Sequence, residues 1–255
     1  MIICFSGTGN TALAARALAS HFSNERVLML SAEQLLNPSN TKLETDDSRI
    51  VWAFPTYAWG IPPVVERFID YVTLKCSASV KHYMLTTCGD DMGYTDQQWR
   101  KIMTKRGFSP IGAYAVRMPN TYVFLPGFDV DSKDLATQKL KDAPARIAAI
   151  AQSIKEGGSD LLIPGALPWL KSAIIRPFFN KFLMNPKKFG FNQGCTTCGA
   201  CSRVCPMQNI TITPEGPSWL NNCAFCLRCY HSCPRHAITY GKSTNGKGTY
   251  LAPKA

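Results

Sequence analysis

Several things are scarce in this sequence. Its 255 residues contain no apolar run of about eighteen, so no membrane-spanning helix is expected. The opening stretch MIICFSGTGNT has no positively charged flank and too short an apolar run for a secretory signal, so a cytoplasmic setting is expected. Only 18% of residues are charged and only four are histidine. His21, His82, His231 and His236 show neither triad nor metal-ligand spacing, so none is a candidate catalytic base. Acids nearly vanish late in the chain. Residues 157–255 carry 11 Lys/Arg against only Asp160 and Glu215, whereas residues 1–156 carry 17 Lys/Arg and 15 acids. What remains is 45% hydrophobic, which is a globular composition and ample for a core, so wholesale disorder is excluded.

A net charge of +11 gathered into one half suggests a nucleic-acid or anionic-membrane surface when taken alone. The cysteines change that. Eight of the 11 lie at Cys195, Cys198, Cys201, Cys205, Cys223, Cys226, Cys229 and Cys233. They form two copies of C-x2-C-x2-C-x3-C-P, offset by 28 residues and ending at Pro206 and Pro234. This is an internal duplication. A zinc ribbon uses paired CxxC units rather than triplets plus one. Disulfides would need an oxidising compartment. Three thiolates on a tight loop hold three irons of a cubane, and the fourth ligand must come from the other repeat. So Cys195, Cys198, Cys201 and Cys233 are the candidate ligands of one [4Fe–4S] cluster. Cys223, Cys226, Cys229 and Cys205 are the candidates for a second.

Residues 191–242, with ITIT (210–213) and AITY (237–240) following each fourth cysteine, resemble the two-cluster bacterial ferredoxin domain. A thiolate-bound cubane carries about −2, so two would offset about four of the excess positive charges. The basic half then partly balances its own cofactors, and no nucleic-acid partner is expected.

The first half has a different grammar. MIICF reads as a strand, Ser6–Thr11 (SGTGNT) as a Gly/Ser/Thr loop and ALAARALASHF as a helix. Strand, loop and helix N-terminus make a phosphate site from backbone N–H groups, hydroxyls and the helix dipole. The loop lacks the GK[ST] ending of a Walker A motif. Ala12 stands where the third glycine of the dinucleotide fingerprint belongs. Two further strands, RIVWAF (49–54) and KHYMLTTCG (81–89), run into the loops PTYAWGIPP and DDMGY. This order implies a doubly wound parallel sheet, with the loops at its carboxyl edge.

Residues 1–156 resemble flavodoxins and related flavodoxin-like domains. The resemblance implies a five-stranded parallel α/β sheet that binds FMN. Ser6, Gly7, Thr8, Gly9, Asn10 and Thr11 would hold its phosphate. Pro55, Thr56, Tyr57, Ala58, Trp59 and Gly60 would line one side of the ring, and Cys88, Gly89, Asp90, Asp91 and Tyr94 the other. Cys88 reads as a small hydrophobe before it reads as a redox thiol, and Cys4 and Cys76 read as packing. The near-neutral charge of this half departs from the acidic flavodoxins. Segment 117–129 either folds over the flavin as a lid or packs on the neighbouring domain.

Residues 157–190, broken by Pro164, Pro168, Pro177 and Pro186, read as a helical connector, with Pro177 counting against a lipid-lying helix and membrane-surface contact not expected. Residues 243–255 read as a tail. The chain as a whole resembles flavodoxin–ferredoxin fusions. That implies an α/β flavodoxin-like domain, a small α+β two-cluster domain, and single-electron transfer among two [4Fe–4S] clusters and FMN. A redox partner protein is expected. A small-molecule acceptor over the FMN is the alternative, with Tyr57, Tyr94 or Tyr122 as proton donor.

Overall fold

The computed structural model describes residues 1–125 and 127–253. Pro126 of the 117–129 segment and Lys254 and Ala255 of the tail lie outside the described residues. The first half alternates β1 (Ile2–Cys4), α1 (Asn10–Ala19), β2 (Val27–Met29), α2 (Ala32–Leu36), β3 (Lys42–Glu44), β4 (Arg49–Pro55), α3 (Pro63–Tyr71), β5 (Thr73–Lys75), β6 (Lys81–Cys88), α4 (Thr95–Lys105), β7 (Pro110–Arg117) and α5 (Lys133–Glu156). Five strands form one parallel sheet in the order β2-β1-β4-β6-β7. In order of appearance within that sheet this is 2-1-3-4-5, the doubly wound order of flavodoxin-like folds. The expected sheet is therefore present. β3 and β5 pair separately as a short parallel ribbon.

Period-two alternation along the strands divides the core into two layers. Ile3, Trp52, Phe54, Met84 and Ala113 face Phe68, Ile69, Trp99, Ile102 and Met103 of α3 and α4. Their neighbours Ile2, Val51, Tyr83, Leu85, Tyr114 and Val116 face Ala14, Leu18, Ile147, Ile150 and Ile154 of α1 and α5. Burial on both faces explains why RIVWAF is apolar throughout rather than alternating.

After α5 the chain returns to the sheet. Leu161 bridges Tyr114 in parallel, and the Ile163 carbonyl accepts from the Met92 N–H at 2.8 Å. The run crosses the carboxyl edge and enters a helix, α6, spanning 168–183. Here α turns (Pro168–Leu170, Arg176–Phe178) alternate with π turns (Lys171–Ile175, Phe179–Leu183). The second unit follows, with β8 (Phe189–Phe191), α7 (Ala200–Val204), β9 (Ile210–Thr213), β10 (Gly216–Trp219), α8 (Arg228–His231) and β11 (Ile238–Tyr240). β8 pairs antiparallel with β11, and β9 with β10.

Val123 and Phe124, from the segment after β7, sit in the core of this second unit. Phe124 stacks on Tyr240 with ring centroids 4.1 Å apart. The root of the segment is fixed by Asp131, which accepts from Lys139 Nζ at 2.7 Å and from the Asn120 N–H at 2.9 Å. The two units are therefore joined through a shared core, with the segment embedded in its neighbour.

His82 in β6 is fully buried. Its Nδ1 accepts from Trp52 Nε1 at 3.1 Å, which requires the neutral ring. Burial pushes its pKa down to about 4, from an ordinary value of 6.5. The unfolded chain therefore binds a proton below pH 6.5 that the fold refuses. Stability is complete above that pH and is lost as pH falls toward 4. Between pH 7 and 5 the loss from this residue is about 2 kcal/mol, read as a drop in the urea midpoint. His82→Gln, which keeps an acceptor for Trp52, should flatten that slope. An unchanged slope would show that His82 is not the group responsible.

Candidate functional site

The duplication in sequence is a duplication of backbone conformation. Thr197 and Phe225 both adopt positive φ, at 51° and 53°. Gly199 and Leu227 follow at 72° and 59°, and Gln208 and His236 at 48° each. Each pair is separated by 28 residues. Left-handed conformation in non-glycine residues costs about 1–2 kcal/mol apiece, so its recurrence marks a backbone held for a purpose. Alternating right- and left-handed residues turn successive N–H groups inward, making a concave seat for an anion. Two of these N–H groups donate to cysteine sulfur at equivalent places: Asn209 N to Cys205 Sγ at 3.3 Å and Ala237 N to Cys233 Sγ at 3.2 Å.

The cysteines gather in two sets of four. Cys195, Cys198, Cys201 and Cys233 line one cavity, with Arg235 at its wall. Cys223, Cys226, Cys229 and Cys205 line another, beneath Trp219 and Phe189. Among the described residues no three or more Cys, His, Asp or Glu side chains converge as a single ion requires. The sulfurs instead surround a space, the arrangement a cubane needs.

The two cavities differ in burial. Cys198 is exposed, and the Ala200 N–H lowers its pKa. Burial pushes the Cys223 and Cys226 thiols up to about 11 and about 12, and also raises Cys229 well above its ordinary value. Cys226 keeps some accessible surface yet is desolvated, because that surface faces a pocket rather than bulk water. Three such sulfurs would ionise together only around compensating positive charge, which irons would supply.

That pocket lies at the carboxyl edge of the parallel sheet. Its walls include Ser6, Gly7, Thr8, Asn10 and Thr11 from the first loop, Pro55, Thr56, Tyr57 and Ala58 from the second, and Thr87, Cys88 and Gly89 from the third. Among the described residues no charged side chain lines it. An anion there would be held by neutral donors and the N-terminus of α1. Thr11 Oγ1 shares a hydrogen bond with Thr87 Oγ1 at 2.7 Å, and Ser6 Oγ accepts from the Ala12 N–H at 3.2 Å. These bonds fix the loop. Burial raises the Cys88 pKa to about 12, so it stays a protonated, packed thiol.

Six residues proposed from the sequence do not line this pocket. Gly9 turns outward at the N-cap of α1, with φ of 107°, and packs against Ala252. Trp59, Gly60, Asp91 and Tyr94 instead hold α6. Ser172 Oγ donates to the Trp59 carbonyl and accepts from the Tyr94 N–H, both at 2.9 Å. Lys171 pairs with Asp91 at 2.6 Å, and Gly60 packs against Arg176. Asp90 is largely exposed and lies 3.6 Å from Lys139. The connector occupies the ground these loop ends would otherwise offer.

Other residues of the pocket, apart from Tyr122 and the expected lid-or-packing segment that carries it, were not among the sequence candidates. Met118, Pro119, Asn120, Thr121, Tyr122 and Phe124 form one wall. Segment 117–129 thus serves as pocket wall and as interdomain packing together. Phe179 and Met184 of the connector, and Phe225, Cys226 and Leu227 of the second unit, close the other side. No local motif announces these, because they reach the pocket only through the return of the chain over the sheet. The tail contributes too. Tyr250 Oη bonds Asn10 Oδ1 at 3.2 Å, and the Ala252 N–H donates to the Thr8 carbonyl at 3.1 Å. Asn10, whose Nδ2 also donates to the Pro119 carbonyl at 2.8 Å, ties loop, wall and tail together with its side chain.

Residues 187–238 match the family described as the 4Fe-4S dicluster domain. No curated protein matches the chain. Among solved structures, the Trp repressor binding protein from Bacillus subtilis is similar, at 16% identity over 57% of this chain and 97% of that one, with a TM-score of 0.35. A flavodoxin from Streptococcus pneumoniae TIGR4 is similar at 15% identity, covering 58% and 96%, with a TM-score of 0.32. Megasphaera elsdenii flavodoxin is similar at 18%, covering 57% and 98%, with a TM-score of 0.33. At these scores the fold assignment rests on the strand order of this chain. It joins a flavodoxin-like domain to an iron–sulfur domain.

Gly7 is a point of close backbone approach between the units. A Cβ there would lie 2.8 Å from Cys226 Cβ and 3.0 Å from the Cys226 carbonyl oxygen. Arg228 Nη1 also donates to the Gly7 carbonyl at 3.1 Å. Gly7→Ala should force the loops apart and destabilise the protein by about 1–3 kcal/mol, measured by urea unfolding. A midpoint equal to wild type would mean that the seating is loose.

Proposed function

We propose that this chain is an electron-transfer iron–sulfur flavoprotein that passes single electrons between two [4Fe–4S] clusters and FMN on behalf of a partner oxidoreductase. One observation carries the reading. Cys226 and Leu227 line both the second cysteine cavity and the pocket at the sheet edge. The two compartments share a wall one residue thick. Iron–sulfur clusters exchange single electrons and FMN exchanges one or two, which is the chemistry these groups supply when bound.

The residues fit both groups. The repeated left-handed turns and the N–H donors to Cys205 and Cys233 suit a thiolate-rich anion. In the pocket, backbone amides of Gly7 to Thr11 and the hydroxyls of Ser6 and Thr8 would hold the phosphate. Thr56, Tyr57, Ala58 and Gly89 would bracket the ring from the sheet side, and Tyr122 from the opposite wall. Tyr57 occupies the junction, since its hydroxyl lies 3.1 Å from where a Gly7 Cβ would stand. Burial and the neighbouring Cys226 and Cys223 sulfurs hold its pKa well above the ordinary phenol value. It therefore stays protonated, able to donate a hydrogen bond but poor at giving up its proton.

Burial gives the wire a direction of access. The quartet with exposed Cys198 meets an outside donor, while the quartet containing Cys226 abuts the pocket. A second reading, a reductase of a small molecule over the FMN, is favoured by Tyr122. Its hydroxyl is buried in the pocket wall without a hydrogen-bond partner. Tyr94 falls out as a proton donor because it lies outside the pocket.

Anaerobically purified protein should contain about eight irons, about eight acid-labile sulfides and about one FMN per chain. Cys223→Ala should leave about four irons, retain the flavin and slow its reduction by an external donor that enters at the other cluster. Full iron with no flavin bound, even after FMN is added, would reduce the first domain to a docking module. Steady reoxidation by one small acceptor, without a partner protein, would move the assignment to the reductase.

A further inference from the structure

Helix α6 has two unlike faces. The inner one is accounted for. Lys171 pairs with Asp91, Ser172 bonds Trp59 and Tyr94, Arg176 Nη2 donates to the Ile61 carbonyl at 2.7 Å and lies 3.3 Å from Glu66, and Phe179 enters the pocket. The outer face is apolar and bare. Leu167, Trp169, Ile174, Phe178 and Phe182 are each 52–59% exposed, and Ile175 is 39% exposed. Six large apolar side chains in water within sixteen residues far exceed the scattered exposure of an ordinary surface.

Charge says what covers them. Both cations on the inner face are committed to Asp91 and Glu66. Lys181, Lys187 and Lys188 stand exposed at the end of the same strip, and no acid occurs between Asp160 and Glu215. A ridge of Trp, Phe, Ile and Leu on a stretch of chain that carries exposed lysines and no acid has the composition of a helix that lies in the headgroup layer. Pro177 does not prevent it, since the helix runs on between the π turns at 171–175 and 179–183. No helix among the described residues is long and apolar enough to cross a membrane, so a bilayer contact here is one of lying on the surface.

We propose that the outer face of α6 docks this protein onto an anionic lipid bilayer, with Trp169, Ile174, Phe178 and Phe182 buried among the acyl chains and Lys181, Lys187 and Lys188 facing the headgroups. The proposal does not depend on which cofactor the pocket holds.

The test is flotation of the full-length, cofactor-loaded protein with phosphatidylcholine vesicles and with vesicles containing about one-third phosphatidylglycerol, alongside light scattering without lipid. Wild type should float with the anionic vesicles. The triple variant I174S/F178S/F182S replaces no residue that lines the pocket, so its cofactor absorbance should match wild type. It should lose at least about tenfold in partitioning. K181E/K187E/K188E should lose about tenfold on the anionic vesicles only. Failure to float on either vesicle would overturn the proposal. A lipid-free dimer that the triple variant returns to monomer, with no flotation, would assign the face to a second copy of the chain instead.

Discussion

The approach of the Cys226 loop to Gly7 is the contact on which the arrangement depends. Glycine alone lets the two backbones come so near, and Arg228 fastens the contact through the Gly7 carbonyl. Once that seat is fixed, the second cysteine cavity abuts the pocket at the sheet edge. The rest of the chain maintains it. The connector crosses the carboxyl edge, segment 117–129 inserts Phe124 into the second core, and the tail closes over the first loop. Inter-domain surfaces within a chain are commonly small and mobile. This one is sewn by three separate stretches of backbone.

His231 shows how thorough the sewing is. Its Nε2 bonds the Thr121 carbonyl at 2.8 Å, and its Nδ1 accepts from the Tyr250 N–H at 3.2 Å. One imidazole from the iron–sulfur unit thereby holds the pocket wall on one side and the tail on the other. Both bonds are satisfied only by the neutral ring, and burial keeps it so, pushing its pKa down to about 4. Lys247 adds a second tie from the tail, donating to the Leu125 carbonyl at 2.6 Å.

Electrostatics follow the same division of labour. Among the described residues the pocket carries no charged wall, so a phosphate bound there would rely on amides and a helix terminus, which are already oriented and lose little entropy. The positive excess lies in the other half, which also carries the eight cysteines whose ionised form would need it if they held clusters. Lys181, Lys187 and Lys188 lie outside that balance, beside an apolar ridge. The quartet with exposed Cys198 and the quartet with desolvated Cys226 would place like ligands in different dielectric surroundings, and surroundings of that kind set cluster potentials.

Much of this was legible in the residues. The 28-residue offset of the cysteines fixes which thiols share a cavity, because identical spacing imposes identical turns. Apolar strands ending in Gly/Ser/Thr loops fix a parallel sheet with its site at the carboxyl edge, since only there do helix N-termini and loops converge. What tertiary structure alone decided is which loop residues remain at the site and what faces them. Trp59, Gly60, Asp91 and Tyr94 carry sequence signals no weaker than Tyr57, but α6 claims them. Phe179, Cys226 and Tyr250 reach the pocket or its loop from 90 to 240 residues away along the chain. Local sequence encodes conformation through short-range sterics and hydrogen bonding. The company a residue keeps depends on where distant segments come to rest, and no local pattern records that.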